Sequence, residues 1–297
     1  VHLAGENRPQ NDSAFGAVNA GLTVTLCDAI RNEFALTGRQ LVVLLASSTQ
    51  AEVDNAYGAS KLAAEHAVQT LAADVGCPVV VFRLPGVFGK WSRPHYNSVV
   101  ATFCHNIACG LPIEINDRST SLRLVYIDDV VNAFLDALAS NSPGMSTGLV
   151  QPEYTITLGQ LADQIMAFNS CRGESLQTER VGTGVVRALY ATYLSFMPNK
   201  SFTYKVPQYE DPRGRFVEVL KTPDSGQFSY FTSLPGITRG GHYHHTKSEK
   251  FVVMKGYALF RFRHLLTQEL YELRTTGDVP QVVDTIPGWA HEITNVG

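Results

Sequence analysis

Apolar positions change their rhythm near residue 200. Before it, short uninterrupted apolar runs alternate with segments whose apolar residues recur every three or four positions. Residues 1–3 read as the end of a strand. Ala17, Leu22, Leu26, Ile30 and Phe34 recur near a helical period across 12–38, which stops at Gly38. Residues 41–45 form the continuous apolar run that a sheet covered on both faces requires. The Ala- and Leu-rich stretch 60–73 predicts a helix closed by Gly76 and Pro78, and 79–84 predicts the next buried strand. Residues 122–127 and 128–138 repeat the strand-then-helix order, 158–168 predicts a helix started by Thr157, and 181–199 has near-helical spacing. Such alternation predicts a doubly wound α/β sheet. Beyond 200, the β-favouring runs 216–220, 228–231, 251–254, 258–262, 270–273 and 281–286 are separated by Gly, Pro, Asp or Thr, which predicts an all-β sandwich or barrel. Two domains are therefore expected, 1–200 and 201–297.

Composition narrows the classes. At 297 residues, 44% hydrophobic and 17% charged, the chain can bury two cores. A net charge of -3 without a Lys/Arg run argues against nucleic acid as a partner. The apolar run at 41–46 is too short to cross a membrane. Five cysteines without a Cys-x-x-Cys pair point to a reducing, cytoplasmic setting. The sequence opens on Val-His-Leu-Ala-Gly and holds no Gly-x-Gly-x-x-Gly. A dinucleotide fold needs a glycine turn against a helix N-terminus. The expectation is that the first strands and the phosphate loop lie before Val1, and that the second domain is cut short at its C-terminus.

Tyr57 and Lys61, four apart, share one helix face. An ammonium beside a phenol favours the phenolate, so Tyr57 is expected to exchange a proton near neutral pH. Ser48, at the end of the preceding strand, can hydrogen-bond the same substrate oxygen, with Ser47 as the alternative. Such a set manages the oxygen of a carbonyl while a nicotinamide does the redox chemistry. Residues 1–170 resemble the extended short-chain dehydrogenase/reductase family, nucleotide-sugar branch, through His2-Leu3-Ala4-Gly5, Asn19, Ser48, Tyr57-Gly58-x-Ser60-Lys61, Arg83-x-Pro85-Gly86-x-Phe88-Gly89 and Tyr126-Ile127-Asp128-Asp129-Val130. The resemblance implies a Rossmann-like fold, catalysis by Ser48, Tyr57 and Lys61, and cofactor contacts from Leu3, Ala4, Gly5, Asn19, Tyr57, Lys61, Arg83, Pro85, Gly86 and Val87. It also places Asn97 near a substrate diphosphate and offers Arg123 as a uridine diphosphate contact.

Downstream, Gly236-x5-His242-x-His244-x4-Glu249-x6-Gly256 matches the first cupin motif, and Gly288-x2-His291-x3-Asn295 matches the second more loosely, with Pro287 directly beside the glycine. His242 and His244, two apart on a strand, point the same way. With Glu249 and His291 they offer three nitrogens and one oxygen to a divalent metal: zinc foremost, with iron, manganese and nickel open. His245 is expected to face away. The resemblance implies a cupin (jelly-roll) barrel.

The order reductase then cupin, joined through Tyr193-Leu194-Ser195-Phe196-Met197-Pro198 and Asp211-Pro212-Arg213-Gly214, resembles a family of bifunctional capsular polysaccharide synthesis enzymes. That family implies a UDP-4-keto-6-deoxy-N-acetylhexosamine substrate, C3 epimerisation by the cupin domain, and C4 reduction with NADPH to UDP-2-acetamido-2,6-dideoxy-L-talose. It further implies a homodimer. Lys250, Tyr257 and His245 are open candidates for the C3 base. The alternative is a single-function nucleotide-sugar reductase or epimerase with a non-catalytic sugar-binding cupin.

Overall fold

Six strands, β1 (Val43–Ser48), β2 (Val79–Leu84), β3 (Gly86–Phe88), β4 (Ser121–Tyr126), β5 (Met145–Gly148) and β6 (Glu153–Thr157), build the first of two compact units, Val1–Tyr204. The computed structural model describes residues 1–140, 142–173 and 175–297. β1, β2 and β5 form a parallel sheet in that order, extended by a parallel bridge from His2 to Leu45. Val43, Leu44 and Leu45 are buried in succession, which is why β1 reads as an unbroken apolar run. The smaller sheet β3-β4-β6 pairs β3 with β4 in parallel and β4 with β6 antiparallel. A Rossmann-like parallel arrangement therefore matches the expectation for this half.

Helix α1 spans Ser13–Thr37 with a π-helical stretch, Gly16–Gly21, inside it. By length and composition alone α1 would pass for a membrane span. In the fold it packs Cys27 and Ile30 into the core with Val68 and Leu71 of helix α2 (Ala56–Val75). α2 begins where the Asn55 side chain accepts from the Gly58 N–H at 2.7 Å, and stops at left-handed Gly76. Four further helices follow: α3 (Val99–Cys109), α4 (Ile127–Ala139), α5 (Leu158–Ser170) and α6 (Gly184–Ser195). α5 starts with a capping box between Thr157 and Gln160. The sequence pattern did not announce α3, β3, β5 or β6; the last three are short and take their pairing from neighbours distant in sequence.

The second unit, Lys205–Gly297, is all β. β7 (Gln208–Asp211), β8 (Gly214–Lys221) and β9 (Gln227–Phe231) form one antiparallel sheet. β10 (Thr238–His242), β12 (Tyr257–His264), β13 (Leu270–Thr276) and β15 (Trp289–Asn295) form a second, ordered β10-β15-β12-β13. β11 (Lys250–Val252) and β14 (Val282–Asp284) make a two-stranded third. None of these sheets closes on itself, so the expected cupin or jelly-roll barrel is corrected to three open antiparallel sheets. Strand length and turn spacing are local signals, whereas closure depends on first-to-last strand pairing, which no local pattern encodes. The core here is small: Ala258, Phe260, Phe262 and Val283.

Candidate functional site

β1 delivers two successive serines, and its pleat sends them to opposite faces. Ser47 is buried and its Oγ donates to the Glu65 carboxylate. Ser48 ends the strand, and its Oγ accepts from the Gln50 N–H at 3.2 Å, capping the 3-10 turn Thr49–Glu52. Lys61 Nζ lies 5.8 Å from the centroid of the Tyr57 ring and donates to Ala46 O at 3.3 Å. A Cβ on Gly58 would stand 2.3 Å from Gln50 O and 2.4 Å from Val53 O, so glycine is what lets α2 start flush against the turn and bring Tyr57 to Ser48.

Burial pushes the Tyr57 phenol above its ordinary value, and the nearby Ser48 hydroxyl offsets this only in part. Burial lowers the Lys61 ammonium, with Glu65 counteracting. The expected phenolate near neutral pH is therefore corrected, because desolvation dominates both groups. A phenol held protonated is the form that can donate to a developing alkoxide.

The other residues singled out in this unit fall into three settings. Leu3, Ala4 and Gly5 are exposed, and Gly5 adjoins Lys61: a Cβ on it would lie 2.8 Å from Asn19 Oδ1 and 3.3 Å from Lys61 Nζ. Pro85, Gly86 and Val87 leave β2 at the same carboxyl end as Ser48, since Ser48 pairs with Leu84. In parallel α/β sheets that end is where ligands bind. Asn19 and Arg83, by contrast, are occupied by the protein. Asn19 is buried, accepts from Glu6 N–H at 2.7 Å, and donates to Ser60 Oγ at 2.9 Å. The Arg83 guanidinium donates to Glu65 at 2.7 and 3.0 Å and to Glu52 at 2.5 Å. Asn97 is exposed, one residue ahead of the Ser98 cap of α3, and the exposed Arg123 donates to Glu153 at 2.5 and 3.0 Å. Sequence reasoning missed Glu65 and Glu6. Glu65 lies four residues after Lys61, the one available signal; Glu6, which also accepts from Tyr96 OH at 3.2 Å, had none.

In the second unit His242, His244, Glu249 and His291 converge, their candidate ligand atoms all within 4.8 Å of one another. His242 ends β10 opposite His291 on β15. His244 lies beyond the strand end, so its convergence with His242 comes from the loop and not from strand alternation. A Cβ on Gly240, which has φ +97°, would meet His291 O at 2.7 Å; glycine permits the irregular step that turns His242 inward. Glu249 Oε2 lies 3.2 Å from His244 Nε2 and 3.3 Å from His291 Nε2. Burial raises the Glu249 carboxyl, but the Lys247 hydrogen bond and charge, together with His244, outweigh it and hold it below the carboxylate norm. Burial and the neighbouring His242 lower His291. An ionised carboxylate and a neutral imidazole are the protonation states a divalent cation requires, so the donor set fits such an ion. His245 is exposed with its ring against Tyr243, Lys250 pairs with Asp284 at 2.5 Å, and Tyr257 is exposed.

A parallel α/β unit with Ser, Tyr and Lys at its carboxyl edge, followed by a β unit bearing a His/Glu cluster, defines a two-unit nicotinamide-dependent enzyme. Residues 1–148 match the NAD dependent epimerase/dehydratase family, and 209–297 match the polysaccharide biosynthesis C-terminal domain. The chain is 56% identical over 296 residues to the UDP-2-acetamido-2,6-beta-L-arabino-hexul-4-ose reductase of Pseudomonas aeruginosa, covering 100% of this chain and 78% of that one. The crystal structure of the capsular polysaccharide assembling protein CapF from Staphylococcus aureus superposes with a TM-score of 0.86 at 39% identity, over 100% of this chain and 79% of that one. A UDP-glucose 4-epimerase from Thermus thermophilus shares the fold alone, with a TM-score of 0.52 at 18% identity over 66% of this chain and 76% of that one. The chain belongs to the CapF family and is an NAD(P)-dependent enzyme.

Proposed function

We propose that the protein converts a UDP-linked 4-keto-6-deoxy-N-acetylhexosamine in two steps. The second unit inverts C3; the first reduces the C4 ketone with NADPH, giving UDP-2-acetamido-2,6-dideoxy-L-talose on the way to UDP-N-acetyl-L-fucosamine and capsule or O-antigen. The observation that carries the reduction is the placement of Ser48 at the carboxyl end of the parallel sheet, with Lys61 Nζ 5.8 Å from the centroid of the Tyr57 ring on the helix that follows. The name of the P. aeruginosa relative, a UDP-acetamido-hexulose 4-ketone reductase, supports the substrate.

NADPH supplies the hydride. Tyr57 gives its proton to the C4 oxygen as the alkoxide develops, Ser48 hydrogen-bonds that oxygen, and Lys61 favours the phenolate left behind. Leu3, Ala4, Gly5, Pro85, Gly86 and Val87 flank the dinucleotide. Asn19 and Arg83 serve it indirectly, by holding the loop at Glu6 and the carboxylate at Glu65. Asn97 and Arg123 face the UDP portion, with Arg123 exchanging Glu153 for phosphate. In the second unit, the C4 ketone acidifies the C3 proton. A divalent cation, zinc foremost, would be held by His242, His244, Glu249 and His291 and would supply charge stabilisation to the enolate. Cytoplasmic residence and a homodimer complete the reading.

The test uses full-length protein, the 4-keto sugar nucleotide and deuterated water without nicotinamide, with deuterium at C3 read by NMR. Incorporation above the enzyme-free control is the expected result. Its absence from protein with metal demonstrably bound would leave a plain reductase.

A further inference from the structure

Behind the Ser48–Tyr57–Lys61 group lies a buried carboxylate to which the proposed chemistry gives no part at the reacting atoms. Glu65 is 3% exposed and sits one helical turn beyond Lys61 on α2. Three groups are bound to it or through it. Ser47 Oγ donates to Glu65 Oε1 from the strand residue immediately before Ser48. Arg83, from the adjacent strand β2, grips both Glu65 oxygens through Nε and Nη2, at distances from 2.7 to 3.1 Å. The remaining arm of the same guanidinium reaches Glu52 at 2.5 Å, and Glu52 belongs to the 3-10 turn that begins immediately after Ser48. The chain is therefore tied to one carboxylate on both sides of Ser48, directly at Ser47 and through Arg83 at Glu52.

We propose that Glu65 is a positioning residue for hydride transfer: it fixes the backbone on both sides of Ser48 and places a negative charge one turn behind Lys61. This inference rests on the roles proposed above for Ser48, Tyr57 and Lys61. A simple packing role does not account for the arrangement. An ionised carboxylate is costly to bury, and this one takes a bidentate arginine and a serine hydroxyl to satisfy it, where an apolar residue of similar size would fill the space more cheaply. The charged and titratable groups facing Lys61 are Tyr57 and Glu65 on its own helix and His2 on the neighbouring strand segment, whose imidazole Lys61 itself disfavours in the charged form. Of these, Glu65 alone opposes the loss of the Lys61 proton that burial promotes. Removing its charge therefore moves the Lys61 deprotonation to lower pH, a sign that a purely mechanical role would not produce.

The experiment compares Glu65→Gln, Glu65→Asp and Ser47→Ala with wild type and Tyr57→Phe in full-length protein. Substrate-dependent NADPH oxidation is followed across pH, with the folded fraction of each sample measured by circular dichroism. For Glu65→Gln the expected result is a fall in kcat of about 10- to 100-fold per folded molecule, with KM for the sugar nucleotide within about threefold, as for a displaced catalytic group. The alkaline limb of its pH profile moves to lower pH. Glu65→Asp keeps the charge: its limb stays near the wild-type position while kcat falls less. Ser47→Ala lowers kcat by about threefold to tenfold without moving the limb, because it loosens only one side of Ser48. Should Glu65→Gln fail to fold, Glu65→Asp and Ser47→Ala decide by the same criteria. Wild-type kcat per folded molecule and an unmoved limb in Glu65→Gln, or wild-type kcat in both of the other variants, overturns the proposal. Tyr57→Phe separates this from the underlying reading: its retention of hydride transfer would overturn the roles of Tyr57 and Ser48 themselves, whereas an inactive Tyr57→Phe beside a normal Glu65→Gln removes only Glu65.

Discussion

Tyr57 and Lys61 ride on a helix of 20 residues whose inner face buries Ala64, Val68, Leu71 and Ala72 against the parallel sheet. His244 and Glu249, in contrast, lie between β10 and β11, and only His291 of the four clustered residues is buried. The first unit holds its polar group by packing and by hydrogen bonds that are already complete: Ser47 to Glu65, Gly58 to Asn55, Arg83 to Glu65. The second gathers three imidazoles and a carboxylate beside a small buried cluster, Ala258, Phe260, Phe262 and Val283. Such a cluster is satisfied most fully by a cation, which then contributes to folding as well as to chemistry. One site is therefore preorganised by its scaffold, and the other is expected to depend on its ligand.

The sharpest test of this contrast is Tyr57→Phe. It is expected to lower NADPH oxidation by about 10²–10⁴-fold, the worth of a positioned general acid, while C3 exchange continues at the wild-type rate. Loss of both activities would break the division of labour between the units. Core truncations come next. Phe260→Ala and Leu71→Ala remove fully buried side chains and should cost about 3–5 and about 2–5 kcal/mol in denaturant unfolding. Phe260→Ala is expected to cost metal binding as well, since Phe262 on the same strand packs its ring 6.5 Å from that of His291. Leu71→Ala should leave turnover per folded molecule unchanged.

Removing the metal sharpens the comparison further. Chelation is expected to lower the Tm of the second unit by about 10–20 °C when the metal was present at about 100 times its Kd, with the first unit's transition unmoved in calorimetry. Two equal shifts, or none, would contradict a ligand-dependent second site. The smallest effect is with pH in metal-free protein. His291 and Glu249 both have folded pKa values below their unfolded ones, so each contributes stability that is complete above the unfolded value. Stability of the second unit should therefore decline as pH falls below 6.5 and again below 4.5, the ordinary values of the two groups. A rise in stability over that range would reverse the assigned shifts.

Local regularities carried most of what was legible in the sequence. The apolar run that becomes β1, the helical spacing of α1 and α2, and the four-residue step from Tyr57 to Lys61 each follow from periods of two or 3.6 that the backbone imposes. The His-x-His, Glu and distant His pattern likewise named the four residues that converge, although not how they do so. The tertiary structure alone decided the rest. It turned Ser47 toward Glu65 and Ser48 toward Tyr57, and it desolvated Tyr57 and Lys61 enough to reverse the expected acidity of the phenol. It also tied up the guanidinium of Arg83 and left three open sheets where a closed barrel was expected. Each of these depends on which distant segments meet. Side-chain direction, dielectric and strand closure are properties of neighbours brought together across tens of residues, and a chain read in order does not contain them.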